Sequence, residues 1–320
     1  MKQEEILRML LIRLENIQRG VGEVQKQIIA LLGEEEQIVL EPTPPAPTAI
    51  EELEEEPELA DLQIEPPSLS CIDLIAWLKE RNIDFLRTVA TSEFDETFDR
   101  LARFLGERFQ NLRPFYDAIK RRVSGSAHPR ALKLTNAPPQ MISDICQFGT
   151  DLFNNGFLKR YHYTRGTRTL VFEPQMDGRV INFFTGDWLE RYVLLTTLER
   201  IKTLLPEGVC PEALTKAVVV LPDGQETELD ILLGLPERVL WLECKTGDWQ
   251  EHAVRFGRIA RQLQIPPQQA ALVLLESLTA EQKRNASVLS GMSAINPEEL
   301  EDFIATALGA SATSPSRKID

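Results

Sequence analysis

The chain has 320 residues, of which 43% are hydrophobic and 26% are charged. These fractions are typical of a globular protein with room for two domains, and they exclude a wholly disordered chain. The formal net charge of −14, from 49 acidic and 35 basic residues, argues at first against a nucleic-acid partner. However, residues 34–65 contain twelve acidic residues and no Lys or Arg, so the rest of the chain carries only −2.

Residues 4–32 have the pattern of one coiled-coil helix. Leu7, Leu10, Leu14 and five further apolar residues recur at spacings of three and four, the a and d positions of four heptads. Because an isolated helix cannot bury such a stripe, we predict a coiled coil over residues 1–33 that forms a homo-oligomer. Docking of the same stripe onto the globular body is the alternative.

Residues 34–69 are rich in Glu and Pro. Self-repelling charge and fixed proline torsions predict a disordered, extended linker. Mimicry of nucleic acid by the acidic run is the alternative interpretation. At the other end of the chain, the small and polar residues 309–320 predict a flexible tail.

Residues 70–181 have the pattern of a winged-helix-like α+β module. Apolar residues at helical spacing predict helices over residues 71–89, 94–109, 114–123 and 139–154, the last opened by Pro138 and Pro139. The pattern then changes to that of two strands, 157–164 and 169–173, joined by a turn.

Basic side chains crowd this module and indicate a nucleic-acid partner. The candidate contact residues are Lys159, Arg160, Arg165, Arg168, Arg121 and Arg122. With Tyr161 and Tyr163 interleaved, such a surface would neutralise phosphates and stack bases. A connecting domain with a solvated basic face is the alternative.

Residues 182–308 predict an α/β fold, a mixed sheet flanked by helices. The element order is α-β-β-β-α-β-α, with a first helix over 188–205 that Thr185 caps. The predicted strands are 216–221, 227–235, 238–245 and 270–275, and the later helices are 250–263, 280–289 and 297–308. An apolar strand between helices is typical of a sheet that is covered on both faces.

Cysteine and histidine are too scarce for several common kinds of site. Four cysteines lie far apart with no CxxC motif, so we expect free thiols and a reducing, cytoplasmic location. Only three histidines are present, which disfavours a histidine-ligated metal centre or a Ser-His-Asp triad. No apolar run reaches the roughly 20 residues that span a bilayer and no signal peptide opens the chain, so no membrane partner is expected.

Three polar residues on two adjoining predicted strands carry the chemistry. The link between the strands is short, which predicts a hairpin that places Asp230 next to Glu243 at the open end of the sheet. Strand alternation puts Glu243 and Lys245 on one face and Cys244 on the other. A carboxylate pair binds Mg²⁺ or Mn²⁺, and a lysine holds or deprotonates water and offsets phosphate charge. The set predicts metal-assisted hydrolysis of a phosphodiester.

The sequence Asp230…Glu243-Cys244-Lys245 resembles the motif of the PD-(D/E)XK nuclease superfamily, whose fold is restriction-endonuclease-like. Together with the helix that starts Trp188-Leu189-Glu190, residues 183–308 resemble the C-terminal nuclease domain of CRISPR-associated CARF-type nucleases. That resemblance implies that Glu190 joins Asp230 and Glu243 at the metal, and that the protein acts in antiviral defence. Residues 1–69 do not fit the CARF sensor, so activation by cyclic oligoadenylate is not implied.

The sequence therefore predicts a metal-dependent nuclease that cuts DNA or RNA, with Asp230, Glu243, Lys245 and Glu190 as catalytic residues. A dimer would suit two cuts on opposite strands. One alternative is a non-catalytic nucleic-acid-binding or assembly protein that uses a nuclease-like scaffold. A second is a transcription regulator that acts through residues 70–181.

Overall fold

A computed structural model describes residues 70–88, 95–125 and 131–309. The predicted coiled coil, the acidic linker and residues 310–320 of the predicted tail lie outside these described residues. Within them, no helix combines the length and the apolar character needed to cross a bilayer. All four cysteines fall in the described ranges and are free thiols.

A six-stranded sheet in the order β1-β5-β6-β7-β8-β9 positions the site. Strands β1, β5, β6 and β7 are antiparallel neighbours, whereas β7, β8 and β9 are parallel. The strands are β1 Asp84–Arg87, β5 Glu212–Val220, β6 Glu226–Leu235, β7 Arg238–Lys245, β8 Ala270–Leu274 and β9 Ser293–Ile295. The predicted mixed sheet flanked by helices is confirmed.

Helices cover both faces of this sheet. They are α1 Leu74–Glu80, α5 Gly178–Asn182, α6 Trp188–Leu204, α7 Gln250–Leu263, α8 Ala280–Ser290 and α9 Leu300–Ala307. One core contains Trp188, Leu233 and Leu242, and the other contains Trp241, Ile259 and Leu272. Because Trp241 and Leu242 are adjacent, β7 sends alternate side chains into the two cores, as expected for a strand that is buried on both faces.

The helical region consists of α2 Asp95–Glu107, α3 Phe109–Val123 and α4 Pro139–Asn154. A second, three-stranded antiparallel sheet in the order β2-β4-β3 completes it, with β2 Ala131–Lys133, β3 Leu158–Thr164 and β4 Thr169–Pro174. The predicted proline-initiated helix and the hairpin are confirmed. The winged-helix interpretation stays a prediction.

The helix predicted over residues 71–89 was wrong in its second half. Helix α1 ends before Arg81, and Asn82 takes a left-handed conformation with φ of 56° that stops a helix. Residues Asp84–Arg87 then form β1, which pairs with β5 at the edge of the large sheet. This segment therefore belongs to the large sheet and not to the predicted module.

The helix that carries Glu190 also starts earlier than predicted. Asp177 accepts a hydrogen bond from the Arg179 amide and caps α5, and a π-helical turn over Phe183–Asp187 continues it into α6. Thr185 is therefore inside the helical stretch, where its hydroxyl donates to the Ile181 carbonyl at 3.0 Å. The prediction that Thr185 caps the helix was wrong, since an earlier side chain already caps it.

Candidate active site

The large sheet forks between β6 and β7 at the predicted site. Backbone pairing of the two strands runs from Leu235↔Arg238 to Ile231↔Leu242 and stops there. Beyond that point β7 continues to pair with β8 as far as Lys245, while β6 continues along β5. The next residues on the two separating strands are Asp230 and Glu243, so the fork opens at the carboxylate pair.

Each carboxylate accepts a hydrogen bond from a backbone amide across the fork. The Asp230 amide donates to Glu243 Oε1 at 3.1 Å, and the Cys244 amide donates to Asp230 Oδ2 at 2.8 Å. The indole of Trp241 donates a further bond to Glu243 Oε1 at 3.0 Å. Both carboxylates are buried, with Asp230 7% and Glu243 1% exposed. These bonds hold both groups rigidly at the fork.

Lys245 lies between the two carboxylates. Its Nζ is 3.4 Å from Asp230 Oδ2 and 3.6 Å from Glu243 Oε2, and it donates to the Cys244 carbonyl at 3.0 Å. The ammonium also lies 5.2 Å from the centre of the Phe256 ring. The three predicted residues are therefore in mutual contact, as the hairpin prediction required.

Burial and charge repulsion shift the pKa values at the fork. Burial, and then the nearby Asp230 charge, raise the pKa of Glu243 well above its ordinary value. Burial alone would lower the pKa of Lys245, but the Asp230 and Glu243 carboxylates outweigh it and raise that pKa. Lys245 is therefore held as a charged donor, which favours the role of holding water or offsetting phosphate charge over that of removing a proton.

Glu190 has a direct partner other than Asp230 and Glu243. It lies in the first turn of α6 and forms an ion pair with Lys216, with Oε2 3.3 Å from Nζ. Burial, followed by the charge of Asp230, raises the pKa of Glu190 to about 7 even though Lys216 opposes the rise. Glu190 is thus close enough to Asp230 to feel its charge, but its direct partner is a lysine that the sequence analysis did not single out.

In the described part of the chain, no group of three or more His, Cys, Asp or Glu side chains is placed to hold a metal ion. The chemistry of the donors nevertheless fits a hard divalent cation. The donors are carboxylate oxygens, and burial, followed by the charge of Asp230, raises the pKa of both Glu190 and Glu243. A divalent cation favours oxygen ligands and would relieve the repulsion between these carboxylates.

Thr246, which directly follows Lys245, ties the end of β7 to the helical region. Lys120 Nζ donates to the carbonyl of Thr246 at 2.8 Å and to its hydroxyl at 3.0 Å. The Thr246 hydroxyl donates in turn to the Thr185 carbonyl at 2.6 Å. A cleft of about 450 Å³ opens beside this link, and Tyr116 and Gln250 are among its lining residues. The end of β7 is therefore fixed from two helical elements.

Five of the six predicted nucleic-acid contacts are exposed, namely Lys159, Arg160, Arg165, Arg168 and Arg121. Arg122 instead donates to the Phe172 carbonyl at 2.7 Å, and Arg168 donates to the Thr135 carbonyl at 3.1 Å. These two side chains thus form hydrogen bonds within the protein, although Arg168 remains exposed.

The tyrosines predicted to stack bases point partly inward. Tyr161 donates to the Cys146 carbonyl at 2.9 Å, and its ring lies where a side chain at Gly149 would collide with it, at 2.3 Å. Tyr163 packs against the core of the helical region. The alternation of β3 therefore gives its outer face to Arg160 and His162, and base stacking by Tyr161 and Tyr163 stays a prediction.

The chain is similar in fold to solved structures. No protein family and no curated protein matches the sequence. The fold is similar to the crystal structure of protein VC1899 from Vibrio cholerae, with a TM-score of 0.49, 18% identity, and coverage of 75% of this chain and 61% of that one.

The fold is also similar to that of Can2 from Sulfobacillus thermosulfidooxidans in complex with cyclic tetra-adenylate. The TM-score is 0.46, the identity is 15%, and the match covers 73% of this chain and 60% of that one. The chain therefore spans about three fifths of the length of each of these two proteins. At these scores and identities, neither likeness bears on what this protein does.

Proposed function

We propose that this protein is a metal-dependent nuclease that hydrolyses phosphodiester bonds in DNA or RNA. The observation that carries the proposal is the contact of Lys245 with both Asp230 and Glu243 where the sheet forks. Burying two carboxylates and an ammonium together is costly, and a hydrophobic set of similar volume would stabilise the fold at least as well. A catalytic task explains why these charges lie together.

Asp230 and Glu243 would hold Mg²⁺ or Mn²⁺, with Glu190 proposed as a third carboxylate at the same ion. When bound, such an ion polarises a phosphoryl oxygen and lowers the pKa of a coordinated water. Lys245, a charged donor, would orient that water or offset the negative charge that develops on the phosphate. Trp241 and the two backbone amides keep the carboxylate oxygens in place.

The exposed residues Lys159, Arg160, Arg165 and Arg121 are proposed to contact the nucleic-acid backbone through charge. The motif resemblance supports a role in defence against foreign nucleic acid, and the free cysteines fit a reducing cytoplasm. Self-association through residues 4–32 is part of the same proposal and would present two sites at once.

Incubation of the purified full-length protein with labelled single- and double-stranded DNA and RNA tests the proposal. Each substrate is offered with Mg²⁺, with Mn²⁺ and with chelator. We expect cleavage with a metal only, and a loss of at least about 100-fold in Lys245→Ala and Asp230→Asn. Lys202→Ala, which changes an exposed lysine on α6, is the matched control and should cleave like the wild type.

Thermal unfolding of each variant verifies that lost activity is not lost structure. Equal cleavage by wild type and Lys245→Ala would point to a contaminating enzyme. Absence of cleavage with every substrate and metal would favour the non-catalytic scaffold.

A further inference from the structure

Strand β5 contains a backbone irregularity directly opposite Asp230. Lys216 has a φ of 48°, the left-handed region that a residue with a Cβ rarely adopts inside a strand. The pairs Thr215↔Ile231 and Ala217↔Leu229 flank it, so Lys216 occupies the position across from Asp230 without pairing there. The sheet is therefore irregular on both sides of Asp230, at the fork with β7 and at Lys216 in β5.

In β5 and in β6, the alternation of side chains between the two faces of the sheet is interrupted at the level of Lys216 and Asp230. Leu214 and Ala217 pack in the same core although they are three positions apart, and so do Leu229 and Leu232. A regular strand alternates with a period of two, so residues three apart should face opposite sides. The left-handed backbone at Lys216 thus breaks the alternation of β5, and the Lys216 side chain extends to α6.

The Lys216 ammonium binds two carboxylates on the turn that enters α6. Its Nζ is 2.6 Å from Asp187 Oδ1 and 3.3 Å from Glu190 Oε2. The lysine side chain is 27% exposed and that of Glu190 is 18% exposed. Asp187 ends the π-helical turn, a helical irregularity that is frequent at functional sites.

An ordinary surface ion pair would need none of these features. An exposed lysine reaches a carboxylate from a relaxed backbone, and such pairs contribute little to stability. Here a disfavoured backbone in β5 and an extra residue in the helix bring the partly buried ion pair next to Asp230. Backbone strain of this kind persists where a site requires it.

Resting on the proposed nuclease function, we propose that Lys216 is a positioning residue that holds Glu190 beside Asp230 and limits the negative charge presented to the divalent cation. Without the ammonium, Glu190 and Asp187 lose their counter-charge. The cation then experiences a stronger attraction from the carboxylates around it. Removing Lys216 is therefore expected to tighten cation binding, whereas loss of a purely structural lysine would leave binding unchanged or weaken it.

Calorimetric titration of the full-length protein with Mn²⁺ tests this inference. We expect Lys216→Met and Lys216→Gly to bind Mn²⁺ about three- to tenfold more tightly than the wild type, and Lys216→Arg to bind like it. Lys216→Gly removes the charge and favours the left-handed backbone, so its Mn²⁺ affinity can be measured even if Lys216→Met does not fold. The Mn²⁺ concentration for half-maximal cleavage should fall in parallel.

A double-mutant cycle shows whether Lys216 acts through Glu190. In a Glu190→Gln background, Lys216→Met should tighten Mn²⁺ binding much less than it does in the wild type. Unchanged or weaker binding by Lys216→Met and Lys216→Gly, in a wild type that binds Mn²⁺ and cleaves, would overturn the inference and leave the nuclease proposal standing. A wild type that neither binds Mn²⁺ nor cleaves would overturn both.

Discussion

Glu190→Gln should make the protein more stable at alkaline pH. Burial and the Asp230 charge raise the pKa of Glu190 from an ordinary 4.5 to about 7. The folded protein therefore binds this proton more tightly than the unfolded chain does. The associated stability is present below pH 4.5 and is lost as pH rises through about 7. At about 1.4 kcal/mol per pH unit, the loss reaches about 3 kcal/mol.

Glutamine resembles the protonated side chain and does not ionise, so the variant lacks this loss. Urea denaturation between pH 5 and pH 8, with chelator present, measures the effect. The two proteins should have similar free energies of unfolding at pH 5, and at pH 8 the variant should be more stable by up to about 3 kcal/mol. Glu207→Gln, which alters an exposed glutamate, controls for the loss of a carboxyl group. Wild-type and Glu190→Gln curves that stay parallel over the whole range would refute this account of Glu190.

Two further changes test the framework around the fork. Gly234→Ala would place a Cβ 2.2 Å from the Ile72 carbonyl oxygen, so urea denaturation should show a loss of about 2–3 kcal/mol, and wild-type stability would contradict the contact. Trp241→Phe removes the 3.0 Å bond to the buried Glu243 Oε1, and we expect a loss of about 2 kcal/mol by the same measurement. That loss should shrink in a Glu243→Gln background, and an equal loss there would show that the ring's packing, not its N–H, matters.

The parts of the fold that the sequence predicts are those governed by local signals. Pro139 at the start of α4 and the turn between β3 and β4 are marked by the residues that those structures require. The meeting of Asp230 and Glu243 was also predictable, because a short loop between two strands forces a hairpin. In each case the deciding residues are close together in the chain.

The features that the sequence did not predict depend on distant contacts. Residues 84–87 have no strong strand pattern and become β1 only because β5 offers an edge. Lys216 shows no local sign of its left-handed backbone, since Lys is not a residue that favours it. The alternation of side chains along β6 also changes phase at Asp230, so that Leu229 and Leu232 face the same core. Because the sequence shows neither irregularity, it did not identify Lys216 as the partner of Glu190.

Trp188, two residues before Glu190, packs against aromatic rings of the helical region. Its ring centre lies 5.5 Å from that of Phe109 and 5.4 Å from that of Tyr116. The same continuous core runs from these helices to Leu233 and Leu242 of the large sheet. Recombination between genes that exchanged only these helices would remove the packing partners of Trp188, on the helix that carries Glu190. The two regions are therefore expected to be inherited together, as a single evolutionary unit.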